Sequence, residues 1–238
     1  MSPLSWLITG CSSGFGEALA LELVKRGDRI IATARNVDSL EHLRGNNVHT
    51  IALDLNNSQE DIDKCIHAAQ EAFGGIDVLV NNASYLTGGH LEQVRDIHFM
   101  EVYKTNLIGT VNVTRAIMPH FRARNAAMVV FMGSMSGWVG NIGATSYCAS
   151  EFALEGVFEG FQQEAALFGI KSIIIEPVYF RTNIFHPSRL RIDTDPLEAY
   201  EEINKQMAAF ASAIHGTQPG DPGKAAARIA DVVHGEDL

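Results

Sequence analysis

The sequence predicts an α/β protein: a single doubly wound parallel sheet with helices on both faces, forming one domain over residues 1–238. Three observations predict it. Six short apolar runs rich in β-branched residues recur along the chain, with room for a helix between most neighbours. The runs are continuously apolar rather than alternating, as strands covered on both faces require. A glycine-rich turn follows the first run directly, where a strand-to-helix crossover begins.

In order, the strands are expected at Trp6-Leu7-Ile8-Thr9, Ile30-Ile31-Ala32-Thr33, Val48-His49-Thr50-Ile51-Ala52, Val78-Leu79-Val80, Met128-Val129-Val130-Phe131 and Ser172-Ile173-Ile174-Ile175. A first helix should run from Glu17 to Arg26 and stop at Gly27, a residue suited to the left-handed turn of a helix end. Further helical segments are expected from Val94 to Arg124, with Pro119 near the end, and from Tyr147 to Phe168. Phe152, Phe158 and Phe161 exceed what one sheet face needs, unless all three pack on the sheet alone. From Phe185 to Gly223 the rhythm changes, with Pro187, Pro196, Pro219 and Pro222 around an amphipathic stretch from Tyr200 to Phe210. A long excursion after the last strand is where a substrate lid is expected; an ordinary surface helix pair is the other reading. No linker, low-complexity tract or repeat divides the chain.

Composition narrows the function classes. Apolar residues make up 46% and charged residues 19%, too apolar for disorder, yet no run is long enough to cross a bilayer. The first eight residues lack a basic start and a sustained apolar stretch, so no secretion signal is read and a cytoplasmic location is expected. The odd cysteine count, with no CxxC pair, argues for a reducing compartment. A net charge of −10 disfavours a nucleic-acid partner. Nine histidines show no metal-ligand spacing, so no metal site is expected.

The glycine turn reads Thr9-Gly10-Cys11-Ser12-Ser13-Gly14-Phe15-Gly16. Gly10 allows the tight turn. Gly14 and Gly16 allow backbone to approach a pyrophosphate and the helix to pack against the strand, while the helix N-terminus offers free N–H donors. These features predict a Rossmann-type dinucleotide site. The second strand ends in Thr33-Ala34-Arg35-Asn36, without the carboxylate that would bind both ribose hydroxyls of NAD(H). Arg35 instead offers a charged planar fork for a 2′-phosphate, so NADP(H) is the expected cofactor.

With these residues in place, the chain resembles the short-chain dehydrogenases/reductases over nearly its whole length. Besides the glycine loop, with Ser12, Ser13 and Phe15, the resemblance rests on Asp54-Leu55, Asn81-Asn82-Ala83, Asn106, Ser134, Tyr147 and the segment from Pro177 through Val178 to Thr182. It implies that Asp54 and Leu55 contact adenine, that Asn81 and Ala83 lie at the cofactor, and that Pro177 to Thr182 hold the nicotinamide carboxamide. It also implies that Tyr147 exchanges a proton with the substrate oxygen of a small organic molecule, Ser134 polarises that oxygen, and Asn106 helps hold a water. The resemblance further implies a homodimer paired through the helical segments Val94 to Arg124 and Tyr147 to Phe168.

One departure carries chemical weight. The family pattern Y-x-x-x-K reads Tyr147-Cys148-Ala149-Ser150-Glu151 here. Positions four apart share a helix face, so Glu151 is expected beside the phenol, where an ionised carboxylate would raise the tyrosine pKa and a desolvated one could itself carry a proton. Three outcomes remain open: altered carbonyl, alcohol or imine redox chemistry; a non-redox cyclisation or isomerisation; and an inactive nucleotide-binding protein. Ser84 and Val178 replace family glycines, adding bulk near the nicotinamide. The chain stops at Leu238 before the family's usual last strand, which predicts an exposed sheet edge.

Overall fold

A computed structural model of the protein describes residues 2–186, the backbone of 191–192, and residues 195–236. It begins with β1 (Ser5–Ile8), α1 (Gly14–Arg26), β2 (Arg29–Ala34), β3 (Val48–Ala52), α2 (Gln59–Glu71) and β4 (Val78–Asn81). The short strand β5 (Thr87–Gly88) precedes α3 (Asp96–Tyr103), a π-helical turn (Lys104–Gly109) and α4 (Thr110–Arg124). Then follow β6 (Ala127–Met132), α5 (Thr145–Ala166), β7 (Ile170–Ile175), β8 (Arg191–Ile192), α6 (Glu201–Ile214) and α7 (Pro222–His234).

Six strands form one parallel sheet in the order β3-β2-β1-β4-β6-β7. The six expected strands are all present, each within two residues of its predicted bounds. Strand order reverses direction between β1 and β4, which opens a crevice at their carboxyl ends, the usual ligand position in such sheets. The continuous apolar pattern has its reason in two cores. Trp6, Ile8, Ile30 and Ala32 face α1 and α7, while Leu7, Ile31 and Leu79 face α2, α4 and α5. β7 lies at one edge, with Ser172 to Ile175 only partly buried.

Several expectations need correction. The helix expected from Val94 begins at Asp96 and widens into the π turn around Asn106. Phe158 and Phe161 are not surplus: both pack edge-on against Phe131 of β6, at 5.8 and 5.6 Å between ring centroids, leaving Phe152 half exposed. The region expected to form a lid ends inside α7, a helix not among those expected. Its signals were present: Asp221 caps the N-terminus by accepting from the Gly223 and Lys224 N–H groups, Pro222 opens the first turn, and Gly235 closes the helix at φ 71°. α7 is pinned to the sheet by Asp28, buried, which accepts from Trp6 Nε1 at 3.1 Å and pairs with His234 Nε2 at 2.8 Å. Pro187 and Leu238 lie outside the described residues.

Candidate active site

The glycine turn forms one wall of a cleft of about 700 Å³ above the carboxyl ends of β1, β2 and β4. Gly10 and Gly14 take φ of 73° and 69°, conformations that need glycine. Ser13, at the N-cap of α1, makes no side-chain cap bond, leaving the first-turn N–H groups open to a ligand. A cradle of this shape suits a pyrophosphate. Of the residues expected to bind a cofactor, Gly10, Ser12, Ser13, Gly14, Phe15, Arg35, Asp54, Leu55, Ala83 and Thr182 line the cleft. Arg35 is exposed at one end and, among the described residues, makes no ion pair.

Two expected residues do something else. A β-carbon on Gly16 would lie 2.5 Å from the Gly10 carbonyl oxygen and 2.6 Å from Asn82 Nδ2, so Gly16 serves helix-to-loop packing and does not line the cleft. Asn81 is buried and turns toward α4, donating to Thr114 Oγ1 at 2.9 Å. Its neighbour Asn82 holds the glycine turn, donating to the carbonyls of Thr9 (2.8 Å) and Gly10 (3.1 Å). Thr9 returns the bond: its hydroxyl accepts from the backbone N–H groups of Asn82 and Ala83, both at 2.9 Å. The doubled asparagine was visible in the sequence, but which of the two faces the turn depends on where β4 ends. Of the two positions where bulk replaces a family glycine, Ser84 lines the cleft and Val178 is exposed. Phe180, not singled out by sequence, packs edge-on against Phe15 at 5.1 Å and braces the glycine loop.

Toward the other end of the sheet crevice, Tyr147 and Glu151 rise from the first turns of α5 and Ser134 from the loop after β6. Tyr147 is buried, and its phenol interacts with both the Ser134 hydroxyl and the Glu151 carboxyl. Ser134 is oriented by the Ser136 N–H, which donates to its Oγ at 3.1 Å. Burial pushes the Tyr147 phenol well above its usual pKa; the Glu151 charge raises it further, and the Ser134 hydrogen bond opposes the rise. Glu151 is only 2% exposed, and Oε2 has no hydrogen-bond partner. Burial, then repulsion from Glu155, lifts its carboxyl to about 8, so it carries a proton at neutral pH. The repulsive fixed charge expected from sequence is therefore largely replaced by a neutral carboxyl.

Asn106 reaches Tyr147 only indirectly. Its amide is engaged at both ends by the Tyr85 backbone and donates to Ser150 Oγ at 3.3 Å, while Ser150 donates to the Tyr147 carbonyl at 2.8 Å. Pro177 ties the exit of β7 to the serine loop, its carbonyl accepting from the Met135 N–H at 3.3 Å. Over this region lies α6. A β-carbon on Gly143, just before α5, would overlap Met207. Tyr200 stacks on buried His90 at 4.4 Å and donates to Glu92 at 2.6 Å, while Asn204 donates to Gln93 at 3.3 Å.

The sequence profile of the short chain dehydrogenases matches residues 5–193, most of the chain. The chain belongs to that family. Among similar proteins is the uncharacterized oxidoreductase YusZ of Bacillus subtilis strain 168, 33% identical across 96% of this chain and 82% of its own length. A second is the 3-ketodihydrosphingosine reductase of Bos taurus, 30% identical across 86% of this chain and 67% of its own. The crystal structure of a short-chain dehydrogenase from Streptomyces avermitilis superposes with a TM-score of 0.84 at 36% identity, covering 96% of this chain and 83% of that one. Like other short-chain dehydrogenases, the protein is an oxidoreductase by kinship. Among the described residues, no helix is long and apolar enough to cross a membrane, and no group of three or more His, Cys, Asp or Glu side chains could hold a metal ion.

Proposed function

We propose that this short-chain dehydrogenase uses NADP(H) to reduce a carbonyl or imine of a small organic molecule, with Tyr147 as proton donor and Glu151, in the family's lysine place, as a neutral carboxyl behind it. The observation that carries the reading is the Tyr147 phenol held between the Ser134 hydroxyl and the buried Glu151 carboxyl. A phenol with a raised pKa is a poor source of phenolate, the base that alcohol oxidation needs. It still protonates an alkoxide readily, because an alkoxide is a far stronger base. The site therefore favours reduction over oxidation. A bound nicotinamide would supply the hydride; the protein's own part is to orient the substrate oxygen through Ser134, deliver a proton from Tyr147 and exclude water.

Arg35 supports the NADP(H) preference: a guanidinium at the cleft end, with no ion pair among the described residues, suits a 2′-phosphate, and the second strand ends in Thr33-Ala34-Arg35-Asn36 with no acidic side chain at its tip. Among solved structures, a metagenomic short-chain oxidoreductase 26% identical to this chain, with a TM-score of 0.70, was determined in complex with NADP. Residues 185–223 include the lid of this reading, with α6 closing over Gly143. Phe152, Ile97 and Met100, exposed on α3 and α5, are the apolar surface through which two copies would pair as a homodimer. The redox names of the relatives do not favour a non-redox cyclisation.

The test compares the natural chain with Glu151→Lys for NADPH binding and for NADPH oxidation across a panel of carbonyl and imine compounds. Binding without oxidation in both proteins would overturn the reading. Turnover by the natural chain that weakens or shifts its pH optimum in Glu151→Lys would assign Glu151 a working role, whereas a strong gain would mark it as a disabling substitution.

A further inference from the structure

Behind Glu151 the carboxyls continue. Residues 147, 151 and 155 recur every four positions on α5 and so share one face of the helix. The loop after β6 crosses over the third of them. A β-carbon on Gly137 would lie 2.9 Å from Glu155 Cγ and 3.0 Å from Oε1, and one on Gly133 would lie 3.2 Å from the same oxygen. Neither glycine has a positive φ, so backbone conformation does not require glycine at either place. The room at Gly137 is occupied by the Glu155 side chain, and the room at Gly133 is shared between Glu155 and Ile174, whose Cδ1 lies 3.0 Å from the added β-carbon.

Glu155 in turn hydrogen-bonds Glu176, at the end of β7, an arrangement that needs a proton between the two carboxyls. Glu176 accepts from the Trp138 indole N–H, and Trp138 is 66% exposed. The series thus begins at a buried phenol and ends at solvent. Among the described residues, none of the three carboxyls pairs with a lysine, arginine or histidine. Glu151 Oε2 and Glu155 Oε1 are both buried without a partner. A buried carboxylate oxygen without a donor is costly, and a mobile proton or a water answers that cost.

We propose that Glu155 and Glu176 are relay residues, passing protons between solvent at Trp138 and the Glu151 carboxyl, so that the phenol of Tyr147 is reset from behind rather than through the cofactor cleft. The proposal rests on Tyr147 as proton donor. As the substrate oxygen takes the Tyr147 proton, the phenolate takes one from Glu151. Glu151 then takes one from Glu155 through a water between their two unpartnered oxygens, and the Glu155–Glu176 pair takes one from solvent water, leaving hydroxide in the bulk. Each step breaks one O–H bond and makes another, with no redox change.

The groups facing this path are Tyr147, Cys148, Glu151, Glu155 and Glu159 from α5 and Glu176 from β7. All are neutral or anionic, which keeps protons on the chain. Burial first, then Glu176 and Glu159, lifts Glu155 to about 7, near the value of about 8 for Glu151, so protons can move between them near neutral pH.

The test measures exchange of the Tyr147 hydroxyl proton in protein labelled at tyrosine Cζ with ¹³C, using the isotope-shifted signals in mixed H₂O and D₂O; Tyr147→Phe assigns the signal. Glu155→Gln and Glu176→Gln should each slow exchange on the order of a hundredfold, the scale of a positioned proton carrier. Glu164→Gln, which removes an exposed charge from the same helix away from the path, should leave it unchanged. Gly137→Ala, which displaces the Glu155 side chain without altering its chemistry, should slow exchange as well, and acetate should restore it in Glu155→Ala. Exchange in Glu155→Gln equal to that of the natural chain would overturn the relay, whether or not a carbonyl is reduced. Relay-dependent exchange without reduction of any carbonyl would leave the relay standing and sink the proposed function.

Discussion

Replacing Glu151 by glutamine should stabilise the protein, and by an amount that grows with pH. Burial lifts the folded carboxyl from an ordinary value of 4.5 to about 8. At about 1.4 kcal/mol per tenfold change in proton affinity, that rise amounts to about 5 kcal/mol. The sign follows from where the proton prefers to be. Above pH 4.5 the unfolded chain releases this proton while the folded chain keeps it, so stability drains away as pH rises and levels off only above about 8. Glutamine cannot ionise and is exempt. The advantage of Glu151→Gln should therefore grow by about 2 kcal/mol between pH 5 and pH 7 and by a further 1–2 kcal/mol toward pH 9. Urea denaturation of both proteins at the three pH values measures it. The glutamine amide adds an offset of its own, but that offset does not titrate, so the slope is the test. A stability difference that stays constant from pH 5 to pH 9 would refute a carboxyl held neutral by burial.

Gly16→Ala would push a methyl against the Gly10 carbonyl and Asn82, shifting the start of α1; a loss of about 1–3 kcal/mol in denaturation and at least tenfold weaker NADPH binding by fluorescence titration are expected. Arg35→Ala should weaken NADPH binding by roughly ten- to a hundredfold, the worth of a charge-assisted hydrogen bond, while NADH binding stays the same; equal losses for both would remove Arg35 from the 2′-phosphate. Tyr200→Ala, which removes the stack on His90 and the bond to Glu92, should raise KM for the carbonyl substrate by about two- to tenfold and leave the NADPH Kd unchanged, as measured by steady-state kinetics and titration.

The sheet was legible because its information is local. A strand covered on both faces must be apolar throughout, and β1 with Trp6, Leu7 and Ile8 alternating between two cores is such a case. Gly10, Gly14 and Gly27 were legible for the same reason, each taking a positive φ that glycine meets without strain. What escaped depends on partners distant along the chain. Pro222 suits a loop break and the first residue of a helix equally well, and only the packing of α7 against α1 settles which. Asn81 and Asn82 differ by which side of a strand end they fall on, a distinction finer than sequence boundaries. Glu151 was visible as an anomaly four residues after Tyr147, yet its protonation depends on burial and on Glu155. The link onward to Glu176 has no local signature, since it joins a helix to a strand end through the gap over Gly133 and Gly137.

The buried Asp28 that gathers Trp6 and His234 ties the segment around the glycine turn to a helix 206 positions further along. α1, whose first turn frames the nucleotide cradle, packs against the same closing helix. A ribosome-bound chain can thus lay down β1 and α1 early but cannot complete their shared core until residue 234 has emerged. Tight nucleotide binding should accordingly wait for α7, making retention on a nucleotide column a report on whether that helix has docked on α1.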